Sequence, residues 1–413
     1  MDGRDVVITG LGAISCLGRG VPEFWRGLLA GGGGPSRVPD PLAHMKAPHK
    51  YLVPDEAVPS SPETVAHVPL GAGPRMGAAA AREAARDAGL DAGALERAAV
   101  VVGVEMGNAE MHEGDRPGEA LGGTRWRPMT VTTAAVSAAL GAEGESLSVG
   151  NACAASGYAL SVAADMIRAG EAEVAVAGGA DGGSRAALGA FNRMRAMDPV
   201  RCRPFDRGRA GTVFGDGAAM VVLESAEHAA RRNAAVHAVL AAAEWSCDAH
   251  HITAPDPSGR EIIDTMRRAL AAADLDPAGI AALVPHGTGT PLNDVTESRA
   301  LREVFGDHCD RMPLLNLKGM IGHTGGAAGA FAVLAGVLML RHGLVPAAAP
   351  PVDLDPECEV LLPRGAPAAV EGDGVMVNAY AFGGTNASLV LTRARTGGGG
   401  SGTGAPAAAG GAR

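Results

Sequence analysis

Ser148-Val149-Gly150-Asn151-Ala152-Cys153-Ala154-Ala155-Ser156-Gly157 is the stretch on which the reading of this chain turns. An apolar, strand-like segment, Ser146–Val149, precedes it, and an Ala-rich, helix-compatible run follows to about Gly170. Cys153 therefore stands where a strand gives way to a helix. The first turn of a helix leaves backbone N–H groups unpaired and carries partial positive charge, which favours a thiolate and predicts a lowered cysteine pKa. Gly150, Ala152, Ala154 and Ala155 are small enough to let a substrate backbone approach. A lone Cys among small apolar residues is more often an inert core residue, so its partners must come from elsewhere in the chain.

With 413 residues, 47% of them hydrophobic, the chain suffices for two domains or one large duplicated one. Sixty Gly and 27 Pro against 3% aromatics imply many tight turns and a core packed from Ala, Val and Leu. A net charge of −10 argues against a broad nucleic-acid surface. Cys16, Cys153, Cys202, Cys247, Cys309 and Cys358 show no C-x-x-C spacing, so neither a zinc site nor a disulfide framework is expected. Free thiols fit a reducing cytoplasm. The N-terminus enters the apolar run Val6–Leu11 without a basic region or cleavage site. No run reaches roughly 18 uninterrupted apolar residues, and neither a leader nor a membrane span is expected.

In chain order, Asp5–Leu11 reads as a buried strand with Gly10-Leu11-Gly12 as the turn after it; the spacing lacks the third glycine of a dinucleotide-binding loop. Residues 31–75 read as a long surface excursion. A helix over Ala78–Leu90 and a strand over Ala98–Val104 follow. Glu83–Leu95 is echoed at constant offset by Arg268–Ile280, matching Leu90-Asp91 with Leu275-Asp276, and both lead into apolar strands. A duplicated α/β half accounts for this. Glu173–Gly178 and Gly217–Glu224 are apolar runs of strand length, as expected of strands buried on both faces. The second half repeats the pattern with helix Ile262–Ala273, strand Ala281–Pro285, a helix from Ala328 to about Arg341 and strand Val375–Asn378. The Gly/Ala-rich tail from Thr396 to Arg413 is expected to be disordered.

Three further stretches carry chemistry. His286-Gly287-Thr288-Gly289-Thr290-Pro291 follows a strand and offers an imidazole and two hydroxyls, with Asp294 and Glu297 one turn apart behind it. Lys318 and His323 stand in an otherwise uncharged, glycine-rich run, where burying a cation without purpose would be costly. Asn378–Ser388 breaks an apolar strand at Gly383-Gly384, where backbone N–H groups could face a reacting oxygen. Each alone also fits an ordinary turn.

Taken in order, N-A-C-A-A-S-G, H-G-T-G-T-P-L-N-D, L-K-G-M-I-G-H-T-G-G-A-A-G and A-F-G-G-T-N-A-S resemble the β-ketoacyl-[acyl carrier protein] synthases, condensing enzymes of fatty-acid and polyketide assembly. The resemblance runs from V-V-I-T-G-L-G to L-V-L-T at 389–392 and includes Arg203–Asp206 and Phe214–Ala218. It implies a thiolase-like, duplicated αβαβα layered α/β fold with mixed sheets, with halves over 1–240 and 241–395 ahead of the 396–413 tail. It makes Cys153 the acyl-accepting nucleophile, His286 and His323 the pair assisting malonyl decarboxylation, and Lys318 the nearby lysine with Glu297 as its ion-pair partner. Backbone N–H groups of Cys153 and Phe382 would form the oxyanion hole, and Thr288, Thr290 and Thr253 would line the phosphopantetheine tunnel beside the Gly383-Gly384 turn.

His323 matches the elongating class, and Cys153 argues against the non-catalytic chain-length partners. The last loop reads N-A-Y-A-F-G-G-T-N where the family has N-S-F-G-F-G-G-T-N, and Asn151 stands where Thr is common. Met106 and Phe191 fall at acyl-pocket wall positions, and both also fit core packing. Arg75, Arg125, Arg127 and Arg195 match positions of carrier-docking charge on an otherwise acidic enzyme. The expectations are therefore a cytoplasmic elongating ketosynthase of polyketide or specialised fatty-acid assembly, with an acyl carrier protein as partner and a homodimer or heterodimer as its assembly. No metal or cofactor is expected beyond the phosphopantetheine arm of the carrier. A same-fold acyltransferase without decarboxylation and a partner subunit of a ketosynthase pair stay open.

Overall fold

The computed structural model describes residues 3–39, 45–113, 128–349 and 353–394. The strands that build its main sheet are β1 (Val6–Ser15), β2 (Ala99–Gly103), β3 (Ser146–Val149), β4 (Val174–Asp181), β5 (Gly217–Ser225), β6 (Ala238–Cys247), β7 (Ile280–Val284), β8 (Gly374–Tyr380) and β9 (Thr385–Thr392). Their spatial order is β7-β8-β9-β6-β1-β5-β4-β2-β3. The helices used below are α1 (Ala72–Ala88), α2 (Val131–Leu140), α3 (Ala155–Ala169), α4 (Arg185–Arg193), α5 (Arg260–Ala272), α6 (Pro291–Phe305) and α7 (Ala328–His342).

One pairing scheme occurs twice. In the first half β1 pairs antiparallel with β5, β5 antiparallel with β4, β4 parallel with β2, and β2 parallel with β3. In the second, β6 pairs antiparallel with β9, β9 antiparallel with β8, and β8 parallel with β7. A parallel bridge between Leu283 and Leu314 stands where the fifth strand would be. The halves meet where Val7 and Ile8 of β1 pair antiparallel with Val239 and Ala238 of β6, and β6 spans the expected boundary at 240/241. The two echoed segments end α1 and α5, and Asp91 and Asp276 each begin a short helical turn before β2 and β7.

Helices fill three layers around these strands. α1 and α2 cover the first half on one side and α5 and α6 cover the second, while α3 and α7 each touch strands of both halves. The order is thus α, β, α, β, α, and the buried apolar residues form one large cluster around α3 and α7 with a further cluster under each outer layer. Residues Ala328 to Leu340 of α7 are all buried, as expected of a helix that is apolar all round. The stretch Gly325–His342 is long and apolar enough to cross a membrane, but 89% of it is buried inside the protein; its apolarity serves this middle layer.

Glycines permit the close approaches. Gly10 and Gly12 lie inside β1, not in a turn after it, because α1 packs directly on the strand: a Cβ would come within 2.1 Å of the Ala84 carbonyl oxygen at Gly10 and 2.0 Å of the Ala80 oxygen at Gly12. The 31–75 segment is also more than a surface excursion. Tyr51 is fully buried and its hydroxyl donates to the Gly319 carbonyl (3.2 Å), and buried Lys50 is ion-paired with Asp216. The 396–413 tail lies outside the described residues.

Candidate active site

A cavity of about 650 Å³ opens at the C-terminal ends of β3, β7 and β8. It is lined by Cys153, Phe191, Thr253, His286, Thr288, Thr290, His323 and Phe382 among others, so residues separated by more than two hundred positions meet in one space.

Cys153 reaches the cavity as the strand-to-helix expectation requires. After β3 the chain passes through Ala152, at φ 45°, into a 3₁₀ turn Ala152–Ala154 and then α3. A left-handed non-glycine residue costs on the order of 1 kcal/mol, and this strain sits immediately before the thiol. The expected lowering of the thiol pKa is corrected by the structure. Burial, with Glu105 and Asp181 nearby, pushes Cys153 well above its usual range, and Lys318 only partly opposes this. The helix terminus is outweighed because the thiol is desolvated beside carboxyl groups.

His286 follows β7, and its orientation is fixed by its Nδ1, which accepts from the Tyr380 N–H (3.1 Å). His323 is pinned by its own backbone between Val213 and Gly215, and its Nδ1 accepts from the Gly325 N–H (3.2 Å). With each Nδ1 accepting, the neutral imidazoles carry hydrogen on Nε2. Burial, reinforced by Lys318, holds both well below the usual histidine range, so both are neutral donors at physiological pH. The rings stand nearly perpendicular with centroids 5.8 Å apart, and His323 Nε2 is buried without a partner among the described residues.

Lys318 and Glu297 do not form the expected ion pair. Lys318 Nζ donates to the His286 carbonyl oxygen, and the Glu297 carboxylate accepts from the backbone N–H of His286 (2.7 Å) and of Gly287 (2.8 Å). The two charges grip one peptide segment from opposite sides and couple through it. α6 makes this possible by presenting Asp294 and Glu297, one turn apart, to the loop: Asp294 accepts from Gly289 N–H (3.2 Å) and Phe205 N–H (2.7 Å). Burial raises Glu297 to about 7 against the pull of its two backbone donors, and burial lowers Lys318 while Glu297 opposes it.

Gly383 and Gly384, at φ 87° and 79°, make the last turn. There Ala381 N–H donates to Thr385 O (2.8 Å) and Gly383 N–H to Ile252 O (3.0 Å), while the Phe382 N–H between them has no acceptor among the described residues. The Phe382 ring stacks on Phe191 (5.3 Å, 7°), which meets Phe214 edge-on (4.7 Å). Thr288 and Thr290 share a hydrogen bond of 2.9 Å.

Not every candidate comes to the cavity. Met106 lines a neighbouring recess with Glu105, Ser184 and Phe214. Arg195 is exposed at the cavity, whereas Arg75 is half-buried at the start of α1 with its Nε on the Gly71 carbonyl. Arg125 and Arg127 lie outside the described residues. Sequence reasoning missed Glu105, whose Oε2 lies 3.7 Å from Cys153 Sγ, and Asp181, which accepts from the backbone N–H of Glu105, Met106, Gly107 and Gly326. The available signal was a carboxylate at the end of an all-apolar strand.

Residues 3–229 match the family model "Beta-ketoacyl synthase, N-terminal domain", and residues 237–350 match its C-terminal counterpart. This chain belongs to the beta-ketoacyl synthase family. It is 33% identical over 419 residues to 3-oxoacyl-[acyl-carrier-protein] synthase 2 of Coxiella burnetii, covering 95% of this chain and 99% of that one. It is 41% identical over 278 residues to nodulation protein E of Rhizobium meliloti, covering 65% and 69%. Among solved structures, the ishigamide ketosynthase/chain length factor superposes with a TM-score of 0.84 at 34% identity over 95% of this chain and 99% of that one. As a beta-ketoacyl synthase the chain is an acyltransferase, and its layered α/β architecture is the thiolase-like one of the family.

Proposed function

We propose that this beta-ketoacyl synthase extends an acyl chain held on Cys153 by decarboxylative Claisen condensation with a malonyl group delivered on an acyl carrier protein. The observation that carries this reading is the pair of neutral imidazoles, His286 and His323, with fixed Nε2–H donors beside a buried thiol in one cavity. In the first half-reaction Cys153 sulfur attacks the acyl-carrier thioester. The developing oxyanion is met by the free Phe382 N–H and the Cys153 N–H, and collapse expels the pantetheine thiolate. In the second, malonyl thioester enters along Thr288, Thr290 and Thr253. Loss of CO₂ leaves an enolate whose oxygen takes hydrogen bonds from the two imidazoles. The α-carbon then attacks the acyl-Cys153 carbonyl, and the tetrahedral intermediate releases the Cys153 thiolate and a β-ketoacyl carrier. Removing one such preorganised donor costs roughly 10²–10³ in rate.

Neutral histidines suit this chemistry because a donor, not a positive charge, is all the enolate needs in a dry site. Burial, reinforced by Lys318, keeps them neutral, and Lys318 with Glu297 holds the His286 peptide. The departure of the last loop, N-A-Y-A-F-G-G-T-N, from the family pattern supports a polyketide or specialised fatty-acid pathway, which we place in the cytoplasm. Arg195 at the cavity is a docking charge for an acidic carrier, together with Arg75, Arg125 and Arg127. β3 is the free edge of the sheet, with Leu147 39% exposed, which supports assembly there with a second ketosynthase-like chain.

The test is intact-mass analysis after incubation with acyl-carrier thioesters, followed by malonyl carrier. Acyl mass should appear on the wild-type chain and not on Cys153→Ala. His323→Ala should still load acyl mass but release CO₂ at least 100-fold more slowly. Acyl loading without any histidine-dependent CO₂ would leave only the non-decarboxylating acyltransferase.

A further inference from the structure

Glu105 stands just beyond the end of β2, and the reaction above gives it no task. Its Oε2 lies 3.7 Å from Cys153 Sγ, with the thiol as donor. It reaches the sulfur from outside the main cavity, since it lines a separate recess with Lys50, Ser184 and Asp216 and does not line the cavity that holds the histidines. Its position is fixed. Asp181 holds its backbone N–H (2.8 Å), and Gly325, at φ 56°, leaves room for it: a Cβ there would come within 3.1 Å of Glu105 Oε2.

Transfer of an acyl group onto Cys153 requires the S–H proton to leave, and burial keeps that proton on the sulfur. Neither histidine can take it in its resting form. Each accepts a backbone N–H at Nδ1 and so presents Nε2–H, a donor without a lone pair, to the cavity. Asp181 cannot take it either, because both of its oxygens are engaged by four backbone N–H groups. Lys318, the remaining charged group near the thiol, is itself a donor to His286 O. Lys50 and Asp216 across the recess are paired with one another.

We propose that the Glu105 carboxylate is the general base for acylation, taking the Cys153 proton as the sulfur attacks the acyl-carrier thioester. This rests on Cys153 being the acylated residue. In balance, the Cys153 S–H bond breaks and the proton goes to Glu105 Oε2, the sulfur bonds to the acyl carbon, and the C–S bond to pantetheine breaks. The departing thiolate is protonated from solvent and Glu105 returns its proton to solvent through the recess. Burial and Asp181 raise Glu105 to about 8, which makes it a stronger base than an ordinary carboxylate and better matched to a thiol.

The experiment is a quenched time course of Cys153 acylation by intact mass, from pH 6 to 9.5, for the wild-type chain, Glu105→Gln and Glu105→Asp. The wild-type rate should rise through about pH 8, where Glu105 ionises. Glu105→Gln should acylate about 100-fold more slowly at pH 9, where the wild-type carboxylate is ionised, and lose that rise, and Glu105→Asp should recover part of the rate with the rise retained. A Glu105→Gln chain that acylates at the wild-type rate with the wild-type pH profile overturns the proposal. Were Glu105→Gln not to fold, a Glu105→Asp profile with no step between pH 6 and 9.5 would overturn it equally. Failure of the wild-type chain itself to acylate at Cys153 would instead overturn the parent reading.

Discussion

Replacing Glu297 by Gln tests how the site holds its first histidine. The substitution keeps the shape and one oxygen, so only one of the two backbone donors, His286 N–H or Gly287 N–H, retains an acceptor; the other meets an NH₂ group. A hydrogen bond to a charged group contributes about 1.5–3 kcal/mol, and a buried donor left unpaired costs about 1–3 kcal/mol. These overlap, and a loss of about 2–4 kcal/mol in stability is expected. The His286–Gly287 segment is then held by Lys318 and one remaining acceptor oxygen instead of two, and its imidazole shifts relative to His323. A displacement of about 1 Å at a catalytic group costs on the order of 10² in rate. Urea unfolding measures the first quantity and CO₂ release from malonyl carrier the second. A Glu297→Gln chain within about 0.5 kcal/mol of wild type that releases CO₂ at the wild-type rate would refute the clamp.

Glu297 also gives stability a pH dependence. It titrates at about 7 in the folded chain against 4.5 ordinarily. Between these values the folded chain holds a proton that the unfolded chain has released, so stability falls as pH rises through this window. The urea midpoint of the wild type, measured relative to Glu297→Gln, should decline from pH 4.5 to 7 and level off above. Burial depresses both imidazoles and the Lys318 charge adds to it; Lys318→Met removes the second contribution, so their pKa values should rise in part and the acid limb of the CO₂-release profile should move to higher pH. Gly329→Val introduces a Cβ within 2.7 Å of the Gly157 backbone nitrogen where α7 crosses α3, and calorimetry should show a destabilisation of at least about 1–3 kcal/mol.

Much of this molecule was legible in its sequence because the signals were local. A strand, small residues and a helix around Cys153 gave its position, and the echo of Glu83–Leu95 in Arg268–Ile280 pointed to the duplication that the sheet pairing repeats. What escaped depended on contacts across the fold. Gly10 and Gly12 looked like a turn because nothing local reveals that α1 lies against β1. The resemblance implied Glu297 as the ion-pair partner of Lys318, whereas both groups direct hydrogen bonds to one peptide segment, a contact that only the folded chain brings about. The thiol pKa was misjudged because the helix terminus is read from the chain but desolvation, Glu105 and Asp181 are not.

In the proposed reaction one cavity couples acyl transfer at Cys153 to decarboxylation at His286 and His323. The most direct measurement supplies the acyl-loaded enzyme with malonyl carrier labelled with ¹³C at the carboxyl group that is lost. A single turnover is then followed for labelled CO₂, acyl mass on Cys153 and β-ketoacyl carrier. Labelled CO₂ and β-ketoacyl carrier should appear in equal amounts as acyl mass leaves Cys153. Loss of acyl mass from Cys153 to any acceptor without labelled CO₂ would contradict it.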